Sequence, residues 1–359
     1  MHIAIDASRT TVTRATGTER YALEVIRAIV QQNSNHQITL YFRDKLPADL
    51  LPPNPLVKQR AIPFRCAWSH LRFAAALWQD RPDVTFVPAH TLPLAFPGRA
   101  VVTVHDLGYK HFPQSHPVRS RLYLDWTTRF SANRATIVLA DSQATVEDLH
   151  RFYGTAYAKT RVVYPGVQPP IQSRAQEVRE KYGLPSGYFL FLGTLQPRKN
   201  IARIVQAYTR YRQRAQNPAE LVLAGKKGWM FDEGWVQGVE GVHITGYVDE
   251  NDKGALYAGA EALVFTTLYE GFGFPVLEAM HCGTPVIAST TSSLPELVGD
   301  AGLLVNPLDV EAIAAAMLQI DQNEALSKTL RERGYRQTER FSWTQAGEQA
   351  LNALEEAAR

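Results

Sequence analysis

The stretch EGFGFPVLEAMHCGTPVIAST, residues 270–290, places two glutamates eight positions apart, with glycines and a proline between them. Pro275 suits the first position of a helix, so the backbone amides of Gly273 to Leu277 would form an anion site at a helix N-terminus. Glu270 would lie on the preceding loop and Glu278 one turn into the helix. Because carboxylates accept hydrogen bonds from vicinal hydroxyls, the pattern suits a sugar nucleotide, with one glutamate on a hexose and the other on a ribose. The alternative is that both glutamates only cap and solubilise the helix.

A second motif, FLGTLQPRKN (residues 191–200), combines the end of an apolar strand with two cations. Arg198 and Lys199 are predicted to open the next helix, where positive charges oppose the helix dipole. A bound diphosphate would offset that cost, with paired hydrogen bonds from arginine and a point charge from lysine. The alternative is a solvated basic turn.

A third motif, VTVHDLGYKHFP (residues 102–113), places His105 and Asp106 at the carboxyl end of an apolar strand. Ligands of open α/β sheets bind at that edge, which favours a functional histidine, although the pair could simply end the strand. The turn after the first strand, residues 6–21, lacks the Gly-x-Gly-x-x-Gly fingerprint of dinucleotide binding. A nicotinamide or flavin enzyme is therefore not expected. No Walker A sequence is present either, so phosphoryl transfer by a P-loop is not expected.

The length of 359 residues and the order of elements predict two domains. Short apolar strands alternate with helical segments in both halves, which predicts an α/β fold of two doubly wound, Rossmann-like domains. The first domain covers residues 1–167 and the second 168–340, with a polar linker over residues 168–187. The predicted strands are residues 2–7, 37–42, 84–89, 100–106, 135–141, 160–167, 188–194, 220–225, 242–246, 261–267 and 285–289.

Charge is unevenly distributed between the two halves. Residues 1–165 carry 20 Lys and Arg against 12 Asp and Glu, a net of +8, whereas residues 166–359 carry 18 against 23, a net of −5. The basic half suggests an anionic partner such as a phosphorylated substrate or an anionic membrane surface; the alternative is an uneven surface charge that serves no partner. No nucleic-acid partner is expected, because no such module is recognisable and the basic residues are dispersed.

Residues 62–80 could form a helix lying transiently in a membrane interface, or an ordinary helix that covers the sheet. This segment mixes arginines with aromatic residues, namely Arg65, Arg72, Trp68, Phe73 and Trp78. A signal peptide and a membrane span are not expected, and the two cysteines show no disulfide or metal spacing. The expected location is the cytoplasm, with peripheral association at the inner membrane face.

Together, these residues resemble the retaining glycosyltransferases of family 4 (glycosyltransferase group 1), in particular a mannosyltransferase-like subgroup. The matching segments are TGTERY, VHDLGYKHFP, GTLQPRKN, GYVDENDKGALY, EGFGFPVLEAMHCGTPVIAS and SSLPELVGDAGLLV. The resemblance implies a GT-B fold, in which two Rossmann-like domains face each other across a cleft. It also implies that residues 341–359 form a final helix that crosses back to the N-terminal domain.

The resemblance assigns catalytic roles to His105, Lys199 and Glu270. The second domain would bind a nucleoside diphosphate sugar, and His105 would contact the donor sugar from the first domain. Thr194 stands where many relatives have an arginine, which weakens the match around Arg198. The residues expected to bind the donor are Gly17, Thr194, Arg198, Lys199, Tyr247, Val248, Glu270, Gly271, Phe272, Gly273, Phe274, Pro275 and Glu278.

The activity implied is transfer of a hexose, with mannose from GDP-mannose as the expected donor, to a glycan or lipid-linked glycan in polysaccharide synthesis. The expected mechanism retains the anomeric configuration and uses no metal cofactor. The alternatives are a glycan phosphorylase, a sugar-nucleotide epimerase and a non-catalytic protein that binds sugar nucleotides.

Overall fold

A computed structural model describes residues 1–11, 17–44, 50–171, 175–228 and 230–359. The chain divides into unit 1, made of Met1–Gly166 and Phe341–Arg359, and unit 2, made of Val167–Arg340. The sequence placed the change of domain one residue later.

Unit 1 is built on a parallel sheet whose strands, within the described residues, number seven. In chain order they are β1 (His2–Asp6), β2 (Gln37–Phe42), β3 (Val57–Ala61), β4 (Val84–Val87), β5 (Arg99–Val104), β6 (Ile137–Ala140) and β7 (Thr160–Val162). Their order across the sheet is β3-β2-β1-β4-β5-β6-β7, so the sheet winds in both directions from β1 and β4.

Unit 2 repeats this arrangement with six strands in the same part of the chain. They are β8 (Tyr188–Leu192), β9 (Glu220–Ala224), β10 (Val242–Gly246), β11 (Ala262–Phe265), β12 (Val286–Ser289) and β13 (Leu303–Val305). The order β10-β9-β8-β11-β12-β13 puts the change of winding direction between β8 and β11. Ligands of doubly wound sheets bind at such a point, outside the carboxyl ends of the strands.

Helices of the described ranges connect the strands. They are α1 (Gly17–Gln32), α2 (Ala74–Asp80), α3 (Gly108–His111), α4 (Val118–Arg134), α5 (Gln143–Tyr153), α6 (Ala175–Tyr182), α7 (Ile201–Arg214), α8 (Lys253–Ala258), α9 (Phe274–His281), α10 (Leu294–Val298), α11 (Val310–Gln322), α12 (Glu324–Thr338) and α13 (Trp343–Ala358).

All eleven predicted strands are present, because each central strand is a continuous apolar run buried on both faces of a parallel sheet. The sequence missed the edge strand β3, whose sequence VKQRA is polar and largely exposed, and the three-residue β13. The prediction of a polar linker over residues 168–187 is wrong in part, since α6 lies within it.

The segment predicted as one helix over residues 62–80, either interfacial or covering the sheet, is also different. A turn of π-helix spans Ser69–Phe73 and continues into α2, while residues 62–67 are not helical. Trp68 and Phe73 are buried and stack with ring centroids 5.2 Å apart, so they belong to the core. Trp78 is exposed.

Helix α13 packs on α1 within unit 1. The contact is close at Gly347, where an added Cβ would lie 2.6 Å from the Ala28 Cβ and 2.9 Å from the Ala28 carbonyl carbon. Gln32 also donates a 2.9 Å hydrogen bond to the carbonyl of Thr344. The end of the chain is therefore part of the core of unit 1.

We predict that Gly347→Val destabilises unit 1 by roughly 1–3 kcal/mol, because the new side chain would have to displace backbone atoms of α1. The measurement is the melting temperature of the whole protein. Asn352→Val is the matched control, since it puts the same side chain at an exposed position of α13. Equal melting temperatures for the two variants would contradict the close contact.

Candidate active site

The basic motif follows β8 in a turn of 3-10 helix, Pro197–Lys199, and α7 begins only at Ile201. The prediction that Arg198 and Lys199 open the next helix is therefore wrong, because both residues precede its N-cap, Asn200. The carbonyl of Arg198 accepts a 2.9 Å hydrogen bond from the Leu268 amide. The turn is thus attached to the segment that follows β11.

Asn200 fixes the position of this turn. It has a left-handed backbone (φ 62°) and a buried side chain. Its amide nitrogen donates to the carbonyls of Thr266 at 2.9 Å and Pro307 at 2.7 Å. Both hydrogens of one amide group are thereby used to hold the loops after β8, β11 and β13 together.

Lys199 and Glu270, both predicted as catalytic, lie in direct contact. The Lys199 Nζ is 2.5 Å from Glu270 Oε1, and the side chains are only 13% and 10% exposed. The ammonium group also lies 5.3 Å from the ring centroid of Phe265. This burial rules out a solvated basic turn at Lys199, and it places a compensated charge pair at the point where the sheet reverses its winding.

The loop that carries Glu270 is held by serines that follow β12. The Glu270 amide donates a 3.0 Å hydrogen bond to Ser292 Oγ, and Ser293 Oγ donates to the carbonyls of Glu270, at 3.1 Å, and Phe272. Ser292 has a left-handed backbone (φ 53°). Sequence analysis missed both serines as site residues, although two serines between a strand and Leu-Pro were a visible signal.

The start of α9, where the sequence predicts an anion site, offers fewer backbone amides than expected. The helix begins at Phe274, so Pro275 is its second residue, and the Val276 amide bonds back to the Gly273 carbonyl at 3.0 Å. Gly273 has φ 129°, and a Cβ there would come within 2.8 Å of Leu294. Of the predicted donors, only the amides of Gly273 and Phe274 precede this first helical bond. The neighbouring Gly271 and Phe272 are buried in the same loop.

Glu278 is buried, so a purely solubilising role is excluded. Its Oε2 accepts a 2.9 Å hydrogen bond from the Tyr257 hydroxyl and lies 4.0 Å from Lys253 Nζ. Burial and the charge of Glu278 raise the pKa of Tyr257 well above its usual value, so the phenol stays protonated and continues to donate. Tyr257 is therefore a positioning residue that sequence analysis missed.

Thr194 lies where the carboxyl ends of β8 and β9 meet. The backbones cross so closely that a Cβ on Gly225 would lie 2.0 Å from the Gly193 carbonyl oxygen. The amide of Leu195 bonds to the Lys226 carbonyl at 3.0 Å, which sets a second basic loop, Lys226 and Lys227, beside the first. These lysines were not among the predicted site residues.

Tyr247 and Val248 follow β10, the edge strand, two strands away from β8. Val248 is buried, whereas Tyr247 is 70% exposed. The role of this pair toward a nucleobase stays a prediction.

The two predicted residues of unit 1 lie in different settings. Gly17 is the exposed first residue of α1, and residues 12–16, which precede it, lie outside the described ranges. His105 is buried after β5 and has both ring nitrogens engaged. Nδ1 lies 2.7 Å from Asp141 Oδ2, and Nε2 lies 3.3 Å from the carbonyl of Pro88. A contact between this side chain and a donor sugar would require one of these bonds to be exchanged.

The protonation of His105 follows from its neighbours. A carbonyl oxygen only accepts, so the contact with Pro88 requires a proton on Nε2. Burial opposes the charged form, but the carboxylate of Asp141 outweighs it and raises the pKa of His105 above 6.5. Burial, reinforced by His105, lowers the pKa of the adjacent His90 to about 3, so His90 is neutral and its Nε2 accepts a 3.2 Å bond from the His105 amide.

We predict that His105 stabilises the fold more at pH 6 than at pH 9. A raised folded-state pKa gives a stabilisation that is complete below the unfolded value of about 6.5 and is lost as the pH rises through the folded value. The measurement is the melting temperature of the wild type minus that of His105→Gln at each pH. The same difference measured in an Asp141→Asn background is the matched control, because burial, the largest influence on the pKa of His105, is then no longer outweighed and the excess stabilisation at pH 6 should disappear. A difference that grows toward pH 9 would contradict this assignment.

The chain has two doubly wound units. At the switch point of unit 2 lie a lysine–glutamate pair, a second buried glutamate and a helix start that contains glycine. This combination indicates a glycosyltransferase of the GT-B fold. Two family models match the chain. The one described as Glycosyltransferase Family 4 covers residues 15–169, and the one described as Glycosyl transferases group 1 covers residues 186–323. The chain belongs to this family of glycosyltransferases.

Individual relatives agree with the family assignment. O-antigen chain mannosyltransferase B of Escherichia coli is 32% identical over 372 residues, which cover 94% of this chain and 95% of that protein. Among solved structures, sucrose-phosphate synthase of Thermosynechococcus elongatus has a TM-score of 0.75 at 21% identity and 99% and 98% coverage. Anabaena HepE, in complex with UDP and glucose, has a TM-score of 0.71 at 16% identity and 99% and 100% coverage. These two structures confirm the predicted GT-B fold.

Proposed function

We propose that the chain transfers mannose from GDP-mannose, with retention of the anomeric configuration, to a glycan or lipid-linked glycan in polysaccharide synthesis. The observation that carries this proposal is the largely buried Lys199–Glu270 pair beside the start of α9, which offers a cation for a diphosphate and a carboxylate for a sugar. The mannosyl donor is supported by the O-antigen mannosyltransferase of E. coli, and a nucleotide-linked donor by the UDP complex of HepE.

Each group at the switch point has a proposed role. Lys199, Arg198 and the Gly273 and Phe274 amides bind the diphosphate, while Glu270 accepts hydrogen bonds from the transferred sugar. Glu278, held by Tyr257, binds the ribose hydroxyls.

Other residues contact the donor outside these charged groups. Thr194 and the backbone at Gly271 and Phe272 line the donor, and the backbone at Tyr247 and Val248 contacts the base. Gly17 and His105, both of unit 1, are proposed to contact the donor as well.

The chemistry follows from where charge develops. The bond between the anomeric carbon and the diphosphate oxygen breaks, the acceptor oxygen bonds to the same face of that carbon, and the acceptor proton passes to the departing phosphate. Negative charge therefore grows on the leaving group, so the Lys199 ammonium and the helix amides stabilise the transition state more than the bound substrate.

The alternatives make different use of the same groups. A phosphorylase would bind inorganic phosphate and need no nucleotide, an epimerase would isomerise the sugar nucleotide without an acceptor, and a binding protein would do neither. The carboxylate of Glu278, which we propose binds the ribose hydroxyls, favours a nucleotide-linked ligand over inorganic phosphate, which has no diol.

We predict that GDP and GDP-mannose raise the melting temperature more than UDP, ADP or inorganic phosphate at equal concentration. Ligand at about 100 times its dissociation constant stabilises the native state by roughly 2.7 kcal/mol. A larger shift with a different nucleoside diphosphate would reassign the donor. A shift with phosphate alone would support the phosphorylase, and loss of GDP-mannose without an acceptor would be tested for epimerised product.

We predict that Lys199→Ala lowers the turnover of mannosyl transfer by about 10²–10³-fold, as expected for the loss of one preorganised donor to developing charge. The variant also leaves the Glu270 carboxylate buried without its ammonium partner, so its melting temperature is measured in parallel. Lys328→Ala, at an exposed position of α12, is the control. A folded Lys199→Ala enzyme with near-normal turnover would remove the diphosphate role.

A further inference from the structure

Helix α4 reverses the usual distribution of side chains on a helix at a protein surface. The residues that it buries are small and mostly polar, namely Thr127, Thr128, Ser131 and Ala132. The residues that it exposes include large apolar side chains, each between 50% and 60% accessible, namely Val118, Leu122, Tyr123 and Trp126. Apolar groups this large are ordinarily the ones that a helix buries, so this face has the composition of a surface that binds a partner.

The same face is basic. Arg119 and Arg129 are exposed between the apolar residues, and at 3.6 residues per turn they share their side of the helix. The one acidic residue of α4, Asp125, is engaged by Lys110 Nζ at 2.5 Å and by the Tyr153 hydroxyl at 2.7 Å. We call Val118, Arg119, Leu122, Tyr123, Trp126 and Arg129 the α4 face.

The neighbouring segment extends this surface. The His70 ring lies 3.1 Å from the Tyr123 hydroxyl, which brings the turn of π-helix beside α4, and Leu71 and Arg72 of that turn are exposed as well. A tyrosine and a tryptophan among arginines match the headgroup region of a bilayer, where aromatic rings keep one edge in water and arginines meet anionic groups. None of the helices in the described part of the chain combines the length and the apolar composition needed to cross a bilayer.

We propose that the α4 face binds the surface of an anionic lipid bilayer. Tyrosine, tryptophan and leucine insert at the level of the headgroups, while the two arginines pair with lipid phosphates. A folded acidic protein would complement the arginines, but it would also need a specific pocket for the apolar side chains. A bilayer binds the arginines through its phosphates and the apolar side chains through its acyl region, and it needs no such pocket. The inference extends the proposed function at a lipid-linked acceptor, but the binding itself does not depend on any transfer activity.

The test is sedimentation of the full chain with vesicles of phosphatidylcholine containing about one-third phosphatidylglycerol, and with pure phosphatidylcholine vesicles. We predict binding to the anionic vesicles that weakens as salt rises, since the Debye length falls to about 10 Å at 0.1 M. Each arginine removed should weaken binding about fivefold, so Arg119→Glu/Arg129→Glu should lose at least tenfold. Leu122→Gln/Trp126→Gln should also lose binding at low salt, and its loss shows that charge alone is insufficient.

The control is Arg331→Glu/Tyr335→Gln, which removes an exposed arginine and an exposed aromatic residue from α12 and should bind vesicles like the wild type. Donor binding by thermal shift should be the same in all variants, so failure of the lipid proposal is separable from failure of the proposed function. Failure of the wild type to bind anionic vesicles at low salt would overturn the proposal. A dimer in analytical ultracentrifugation that the α4 variants abolish would also overturn it, because a second copy would then cover this face.

Discussion

The contact between Lys199 and Glu270 is the constraint on which the arrangement of unit 2 depends. It joins the turn after β8 to the loop after β11, the two strands between which the sheet changes its winding direction. Two charges so little exposed are costly unless they are paired, and Asn200 and the serines after β12 keep the two loops at the distance that pairing requires. The loops are thus fixed by groups that a ligand need not touch.

This arrangement explains why the glycines are where they are. At Gly193 and Gly225 two backbones pass within a distance that no side chain would permit, and Gly273 takes a backbone conformation that other residues rarely adopt. The resulting loops stay close to the sheet. Lys199, Glu270 and the start of α9 therefore lie near one another and not on long, separate loops. Doubly wound sheets bind their ligands at such a switch point.

Most of the sheet could be predicted from the sequence because central parallel strands are continuous apolar runs. The exceptions follow the same physics, since β3 is a polar edge strand and β13 is too short to show a pattern. In the site, the carboxylates and cations were predictable from their spacing, but their partners were not. That Asp141 holds His105 and Tyr257 holds Glu278 depends on strand order, which brings distant residues together and which no local pattern records.

The α4 helix shows the same limit from the other side. Its sequence shows almost no amphipathic pattern, because the buried positions are threonine, serine and alanine. Only the fold reveals that these small residues face the sheet and that tyrosine, tryptophan and leucine face outward. A helix with such a composition packs closely on its inner side, because small side chains allow its backbone to approach the sheet. Its large apolar residues are then exposed at the surface. The donor site proposed in unit 2 and the lipid surface proposed on the α4 face are therefore built from different residues, so each can be altered without the other.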